Sequence, residues 1–309
     1  MKYAIGTLAV VLATLLGFIA ASCGASGGAE SAGPVPTAAP GESVSDTTAG
    51  GTVSTLDTGG SSTSQGTAGM TTYQVWFTRG ESLFVVKRSQ PATPRIGTAA
   101  MESLLAGPEP RERAAAVGSQ IPSSTQLLDL TIDGGVATVD LTSEFESGGG
   151  SASMNMRIAQ VVYTLTQFPS VKGVLFALDG QPVDVLGGEG VVVDQPVTRK
   201  DYRGLVPAIV VEDPQIGERV DNPVVVEGNA NVFEANVTIE IVDASGRIVG
   251  STFTTATCGT GCRGTFSVEV HYEVPSATRG LIIVHDDDAA GTGTPPHEVR
   301  IPVVLTPSS

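Results

Sequence analysis

The stretch TQLLDLTIDGGVATVDLTSEF, residues 125–145, decides the fold of the first half of the chain. Apolar and polar residues alternate on both sides of Asp133-Gly134-Gly135, and glycine accepts the positive φ that a tight hairpin turn requires. The pattern predicts two antiparallel strands. On either side the hydrophobic period lengthens from two towards 3.6. Upstream, TPRIGTAAMESLLAGP (93–108) predicts a helix with Thr93 as its cap, Pro94 in its first turn and Gly107-Pro108 as its stop. Ile96, Ala100 and Leu104, joined by Met101 and Leu105, make its apolar face. Downstream, NMRIAQVVYTLTQF (155–168) predicts a second helix, capped by Ser151 or Ser153, with Ile158, Val161, Val162, Leu165 and Phe168 as its stripe.

Two further segments complete this half. TYQVWFTRGESLFVVKRS (72–89) reads as two strands around Arg79-Gly80, with Val75, Phe77, Leu83 and Val85 on the buried face. VKGVLFALDGQPV (171–183) adds a strand, a turn at Asp179-Gly180 and a second short strand. Strands, helix, hairpin, helix and strands in that order predict an α+β domain over residues 73–195, a sheet with two packed helices.

PVTRKDYRGLVP, within a linker at 196–207, ends this region with two prolines and a small basic cluster, Arg199, Lys200 and Arg203. Three such charges beside Asp201 read as a solvated linker rather than as a contact for anionic lipid or wall polymer. Beyond it the period is two: NPVVVEGNA, ANVTIEIVDASGRIVGSTFTT, GTFSVEVHYEV, RGLIIVHDDD and EVRIPVVL carry six or seven short strands without helix signals. Residues 208–306 are therefore expected to form an all-β, immunoglobulin-like sandwich.

The N-terminus reports the compartment. One lysine precedes an apolar run from Ala4 to Ala21 that ends in small residues, the pattern of a secretory signal over residues 1–22. Ile19-Ala20-Ala21-Ser22-Cys23 resembles the lipobox of bacterial lipoproteins, with Ala20 where the family usually has Leu. That resemblance implies cleavage before Cys23, lipidation of its thiol, and a chain held by acyl chains on the extracytoplasmic face of the bacterial membrane. Residues 24–70 are almost entirely Gly, Ser, Thr, Ala and Pro, without lysine or arginine. Such a composition cannot bury enough apolar surface to offset the entropy of ordering, so a disordered tether is expected over 23–70, spanning roughly 35 to 40 Å.

Cys258 and Cys262 remain, separated by Gly-Thr-Gly. A metal site needs more ligands than this pair offers, and His271, His285 and His297 show no zinc spacing. The redox motif has two intervening residues where this pair has three. In an oxidising compartment the expected chemistry is a disulfide. An extended segment of this length would hold the Cα atoms about 13 Å apart, against about 4.4 to 6.8 Å in a disulfide, so the chain must turn back between them.

Leu104-Leu105-Ala106-Gly107-Pro108, Ile121-Pro122, Ala137-Thr138-Val139-Asp140-Leu141 with Phe145, Gln160-Val161-Val162-Tyr163-Thr164-Leu165 and Leu178-Asp179-Gly180 resemble the successive signatures of the GerMN domain of sporulation and spore germination. Asn222-Pro223-Val224, Val226-Glu227-Gly228, Val232-Phe233-Glu234-Ala235-Asn236-Val237-Thr238 and Gly264-Thr265-Phe266 resemble the immunoglobulin-like domain of bacterial spore germination. The resemblance implies cores, caps and turns, and supplies no catalytic residue.

The formal net charge of −15 argues against nucleic acid, whose phosphates ask for a basic face. Gly24-Ala25-Ser26-Gly27-Gly28 matches a nucleophile elbow in letters only, because neither a strand nor a helix flanks it. Asp286-Asp287-Asp288 reads as a solvated turn rather than a calcium loop. The expected protein is a non-catalytic cell-envelope lipoprotein that binds a protein partner or wall component, without cofactor or metal. The rival is a surface hydrolase or solute-binding lipoprotein, although the latter would need two larger α/β lobes.

The short ring leads to a first prediction. Alkylation and mass measurement of freshly secreted protein without reductant should find neither Cys258 nor Cys262 labelled, and reduction should lower stability by about 2 kcal/mol, since few residues of the unfolded chain are constrained.

Overall fold

The computed structural model describes residues 69–286 and 297–307. The signal segment, Cys23 and the tether up to residue 68 lie outside these residues, as do Asp287 and Asp288.

The first strands, β1 (Met70–Arg79) and β2 (Ser82–Pro91), pair from Met70 opposite Pro91 to Arg79 opposite Ser82, around the expected turn. The four residues expected on one buried face are all buried but divide between two: the register sets Val75 and Phe77 on one face with Val86, and Leu83 and Val85 on the other with Trp76, both faces being covered. Helix α1 (Ile96–Ala106) starts after Arg95, whose N–H donates to Thr93 Oγ1 at 3.2 Å, and ends at Gly107. The following segment, polar and basic, holds a helix that its periodicity does not betray: α2 (Pro110–Ala114) is only five residues long. The Glu109 N–H donates to Glu112 Oε2 at 2.7 Å, and Arg88 binds both oxygens of the buried Glu112, each at 2.7 Å. The strand β3 (Val117–Gly118) pairs with the end of β1.

The hairpin at residues 125–145 forms as β4 (Leu127–Asp133) and β5 (Val136–Leu141). Then α3 (Ser151–Leu165) crosses over to β6 (Gly173–Leu178), which lies parallel to β5. Neither serine caps α3. Its N-cap is Gly150, and the Glu189 carboxylate accepts the Ser151 N–H at 2.6 Å, a negative charge at the positive end of the helix. Three short strands follow: β7 (Gln181–Pro182) on β6, then β8 (Val185–Leu186) paired with β9 (Val191–Val192). The main strands thus form two sheets, ordered β2-β1-β3 and β4-β5-β6-β7, rather than one. At the free edge of the second, β4 exposes Leu128 and Ile132 together with Asp129 and Asp133.

Every residue of α3 from Met156 to Leu165 is buried, including Arg157, Gln160 and Thr164. Buried polar groups need partners. Gln160 and Thr164 on one face of α3, and the half-buried Gln167 in the turn just beyond it, find theirs on the backbone of β1. Gln160 Nε2 donates to Trp76 O at 3.2 Å, and Thr164 Oγ1 accepts the Trp76 N–H at 3.1 Å. Gln167 Oε1 accepts the Gln74 N–H at 2.7 Å while its Nε2 donates to Gln74 O at 2.6 Å. Since β3 covers only Thr78 and Arg79, these side chains occupy the edge where another strand would pair. Arg157 likewise donates to the carbonyls of Phe145 and Gly148, both at 2.6 Å, which ties down the glycine-rich loop before α3.

The second domain is a two-sheet sandwich. Its strands are β10 (Ile209–Asp213), β11 (Arg219–Val220), β12 (Val224–Ala230), β13 (Asn236–Asp243), β14 (Ile248–Thr255), β15 (Gly264–Val270), β16 (Thr278–His285) and β17 (Glu298–Leu305). They form sheets ordered β10-β12-β15 and β11-β17-β16-β13-β14. Val226, Val237, Ile239, Ile241, Ile282, Val284 and Leu305 lie fully buried in the core. Gly228 sits where β12 is crossed closely: an added Cβ would collide with Val210 O and the Phe266 ring. The fold is therefore an α+β domain followed by an immunoglobulin-like β-sandwich.

Replacing Gln160 by Leu removes the acceptor of the Gln120 N–H and the donor to Trp76 O without changing side-chain bulk greatly. Urea unfolding of Gln160→Leu should show a loss of about 2 kcal/mol, the scale of buried polar groups left unpaired. A stability equal to the unsubstituted chain would show that α3 packs on β1 by apolar contact alone.

Candidate functional site

The Cys258 to Cys262 disulfide forms a ring between β14 and β15, with Cα atoms 5.8 Å apart. It packs on the turn Val232-Phe233-Glu234-Ala235-Asn236, where Glu234 and Ala235 hold left-handed φ of 53° and 60°. Non-glycine residues adopt that region at a cost, and the ring supplies the compensation. The Thr260 N–H donates to Val232 O at 2.9 Å, the Glu234 N–H to Thr260 Oγ1 at 3.1 Å, and the Gly261 N–H to Asn231 Oδ1 at 3.0 Å. Gly259 lies so close to Ala235 that no Cβ fits there. The most distinctive motif of the sandwich and the cysteine pair are thus one structural unit.

The basic cluster at 199–203 is not a solvated linker throughout. Arg199 is drawn onto the first domain: Nε donates to Thr166 Oγ1 at 2.8 Å and Nη2 to Tyr163 O at 2.9 Å. Its guanidinium lies 4.8 Å from the Tyr163 ring centre and 5.8 Å from that of Trp76. Trp76 and Tyr163 are themselves in contact, tilted by 56° with ring centres 5.0 Å apart. Burial lowers the Arg199 pKa and raises that of Tyr163, against the mutual attraction of the two groups. Val197 pairs with Val174, and Tyr202 is buried. Lys200 and Arg203 remain exposed.

Past this latch the two domains meet along the edge strands β2 and β10. The Lys87 N–H donates to Gln215 Oε1 at 2.8 Å and its ammonium pairs with Asp213. Glu212 accepts from Gln74 Nε2 at 2.9 Å and from Asn229 Nδ2 at 2.7 Å. Arg79 Nη1 donates to Arg300 O at 2.8 Å, and Arg263 Nη2 to Pro207 O at 2.7 Å.

Beside the linker, a cleft of about 780 Å³ opens between the β1–β2 turn, the start of α3 and residues 201–205. Glu81, Gln120, Ser153, Asn155, Asp201 and Tyr202 supply its polar lining. No spacing rule reveals it from sequence, because its residues come from four separate segments.

The histidines do not assemble a site with one another or with the cysteine ring. His271 is exposed just beyond β15, and His285 ends β16. His297 Nδ1 lies 2.9 Å from Asp286 Oδ2, a contact at the base of the 287–296 segment. Among the described residues, no group of three or more His, Cys, Asp or Glu side chains is placed to hold a metal ion, and no helix is long and apolar enough to cross a membrane.

Residues 71–184 match the family model described as sporulation and spore germination, and residues 208–292 that of the immunoglobulin-like domain of bacterial spore germination. The chain carries both domains, in that order. Among solved structures, a Clostridium perfringens protein described as a lipoprotein is 20% identical, with 45% of this chain and 93% of that one covered and a TM-score of 0.33. The tandem GerMN domains of the sporulation protein GerM from Bacillus subtilis are 13% identical, with 78% of this chain and 62% of theirs covered and a TM-score of 0.39. The first GerMN domain of the same protein is 20% identical over 42% of this chain and 99% of its own, with a TM-score of 0.35. No curated protein matches the chain. The two family descriptions point to a germination-type role.

Substituting Arg199 by Ala removes two hydrogen bonds and the cation from between two rings. Thermal or urea unfolding should reveal a loss of about 2 kcal/mol. Limited proteolysis should become faster within residues 196–207. Arg199→Lys should recover only part of this, since an ammonium cannot reproduce the planar fork.

Proposed function

We propose that the chain is a non-catalytic envelope lipoprotein: acyl chains on Cys23 hold it outside the membrane, the segment after Cys23 carries the folded body away from the bilayer, and that body binds a partner protein or wall component. The observation that carries this reading is the union of two germination-type domains in one body, through the Arg199 latch and the contacts of Lys87, Gln74 and Arg79 with the sandwich. A surface built from two domains fixed against each other can present one continuous face to a large partner, which an interface of standard size requires. The residues that carry the family likeness support a binding rather than a chemical role, because they make turns, caps and core contacts. Gln160 and Thr164 serve the backbone of β1, and Val232-Phe233-Glu234-Ala235-Asn236 serves the cysteine ring.

Two measurements test it. Cys23→Ser should move the protein from the membrane fraction to the medium or leave it as an uncut precursor, because the acyl anchor is lost. Crosslinking in intact cells should recover an envelope component with the unsubstituted chain and not with one lacking residues 208–306. Unchanged membrane association of Cys23→Ser would overturn the anchor. A substitution that keeps folding and location yet abolishes a measurable turnover would replace the binding role with an enzymatic one.

A further inference from the structure

Tyr202 is only 7% exposed, yet its hydroxyl has no hydrogen-bond partner among the described residues. It is not one of the enclosed unsatisfied atoms either, and Tyr202 lines the cleft. A buried tyrosine normally pairs its hydroxyl with protein, and one without such a partner in the wall of a cleft is available to what fills that cleft.

The groups around it share this character. Gln120 is oriented by Ser153, whose Oγ donates to Gln120 Oε1 at 3.0 Å, which leaves the two donors on Nε2 for a ligand. Asn155 spends Nδ2 on Ser151 O at 2.8 Å and keeps its Oδ1 as an acceptor. Asp201 Oδ2 accepts from the Thr198 N–H and hydroxyl at 2.7 and 2.9 Å, with Oδ1 left over. The Glu81 carboxylate stands at the β1–β2 turn, while Met156 and Leu205 add apolar wall. Fixed donors and acceptors are thus mixed at close range, and no lysine or arginine lines the cleft.

This lining selects a ligand class. Phosphate-bearing polymers would meet two carboxylates and no cation. A basic peptide would find the Asp201 carboxylate already half spent on Thr198. A sugar ring has hydroxyls that both donate and accept, and apolar C–H faces that suit Met156 and Leu205. We propose that the cleft binds an uncharged saccharide segment of a glycan polymer. This rests on the envelope-binding role above and names the wall component that the first domain would take.

The test is calorimetric titration of the detergent-solubilised full chain with soluble β-1,4-linked N-acetylglucosamine oligomers. The oligomers should bind, and Tyr202→Phe should weaken binding about three- to tenfold, the worth of one uncharged hydrogen bond, with an unchanged melting temperature. Gln120→Ala should also weaken binding. The unchanged melting temperature separates this role from a structural one, since the hydroxyl bonds to no protein group. No binding at millimolar oligomer, equal binding by Tyr202→Phe, or a loss of stability in step with affinity would each overturn the proposal. So would a basic peptide that binds more tightly and loses affinity in Glu81→Gln. If oligomers fail to bind while crosslinking still recovers an envelope component, only the saccharide assignment falls; if crosslinking recovers nothing, the broader role falls with it.

Discussion

One helix face stands in for a β-strand. Gln160, Thr164 and Gln167 offer β1 the donors and acceptors that a neighbouring strand would otherwise bring, and the first domain depends on that substitution. Buried backbone must be paired, and β3 is too short to pair the middle of β1. With the helix fixed against β1 by directional bonds, its apolar residues have a defined place to pack. The same fixed position brings Tyr163 against Trp76, and so creates the aromatic pair that receives Arg199.

From there the arrangement of the second domain follows. The Arg199 latch lays the linker along the first domain, so the chain reaches β10 with its edge already beside β2. Glu212, Asp213 and Gln215 then meet Gln74 and Lys87. The contact is polar, as interfaces between domains of one chain commonly are, and an apolar surface would leave either domain sticky without the other. In the sandwich, the cysteine ring plays the corresponding part by holding a turn whose left-handed residues would not persist unaided.

Much of the fold is legible in the sequence because it rests on local rules. The Asp133-Gly134-Gly135 hairpin, the stripes of α1 and α3 and the period-two strands of the sandwich all follow from spacing and turn chemistry. The five residues of α2 escape because one turn shows no period. Gln160 and Thr164 look like polar intrusions in an apolar helix, and nothing nearby in sequence tells that β1, more than eighty residues away, needs them. Arg199 reads as a surface charge for the same reason: its partners Trp76 and Tyr163 lie far off along the chain. The cleft is the least legible element. Glu81, Gln120, Asn155 and Tyr202 meet only after the hairpin, the helix and the linker have packed.

The open edge of β4 bears on behaviour at high surface density. A protein held in two dimensions by a lipid, as proposed, meets copies of itself far more often than one free in solution. An unpaired strand showing Leu128 and Ile132 would then invite sheets to grow from one molecule to the next. Asp129 and Asp133 flank those residues on the same strand, and two such edges brought together would set carboxylates beside carboxylates. On a crowded membrane those carboxylates would act as spacing between neighbours, a part beyond mere solubility.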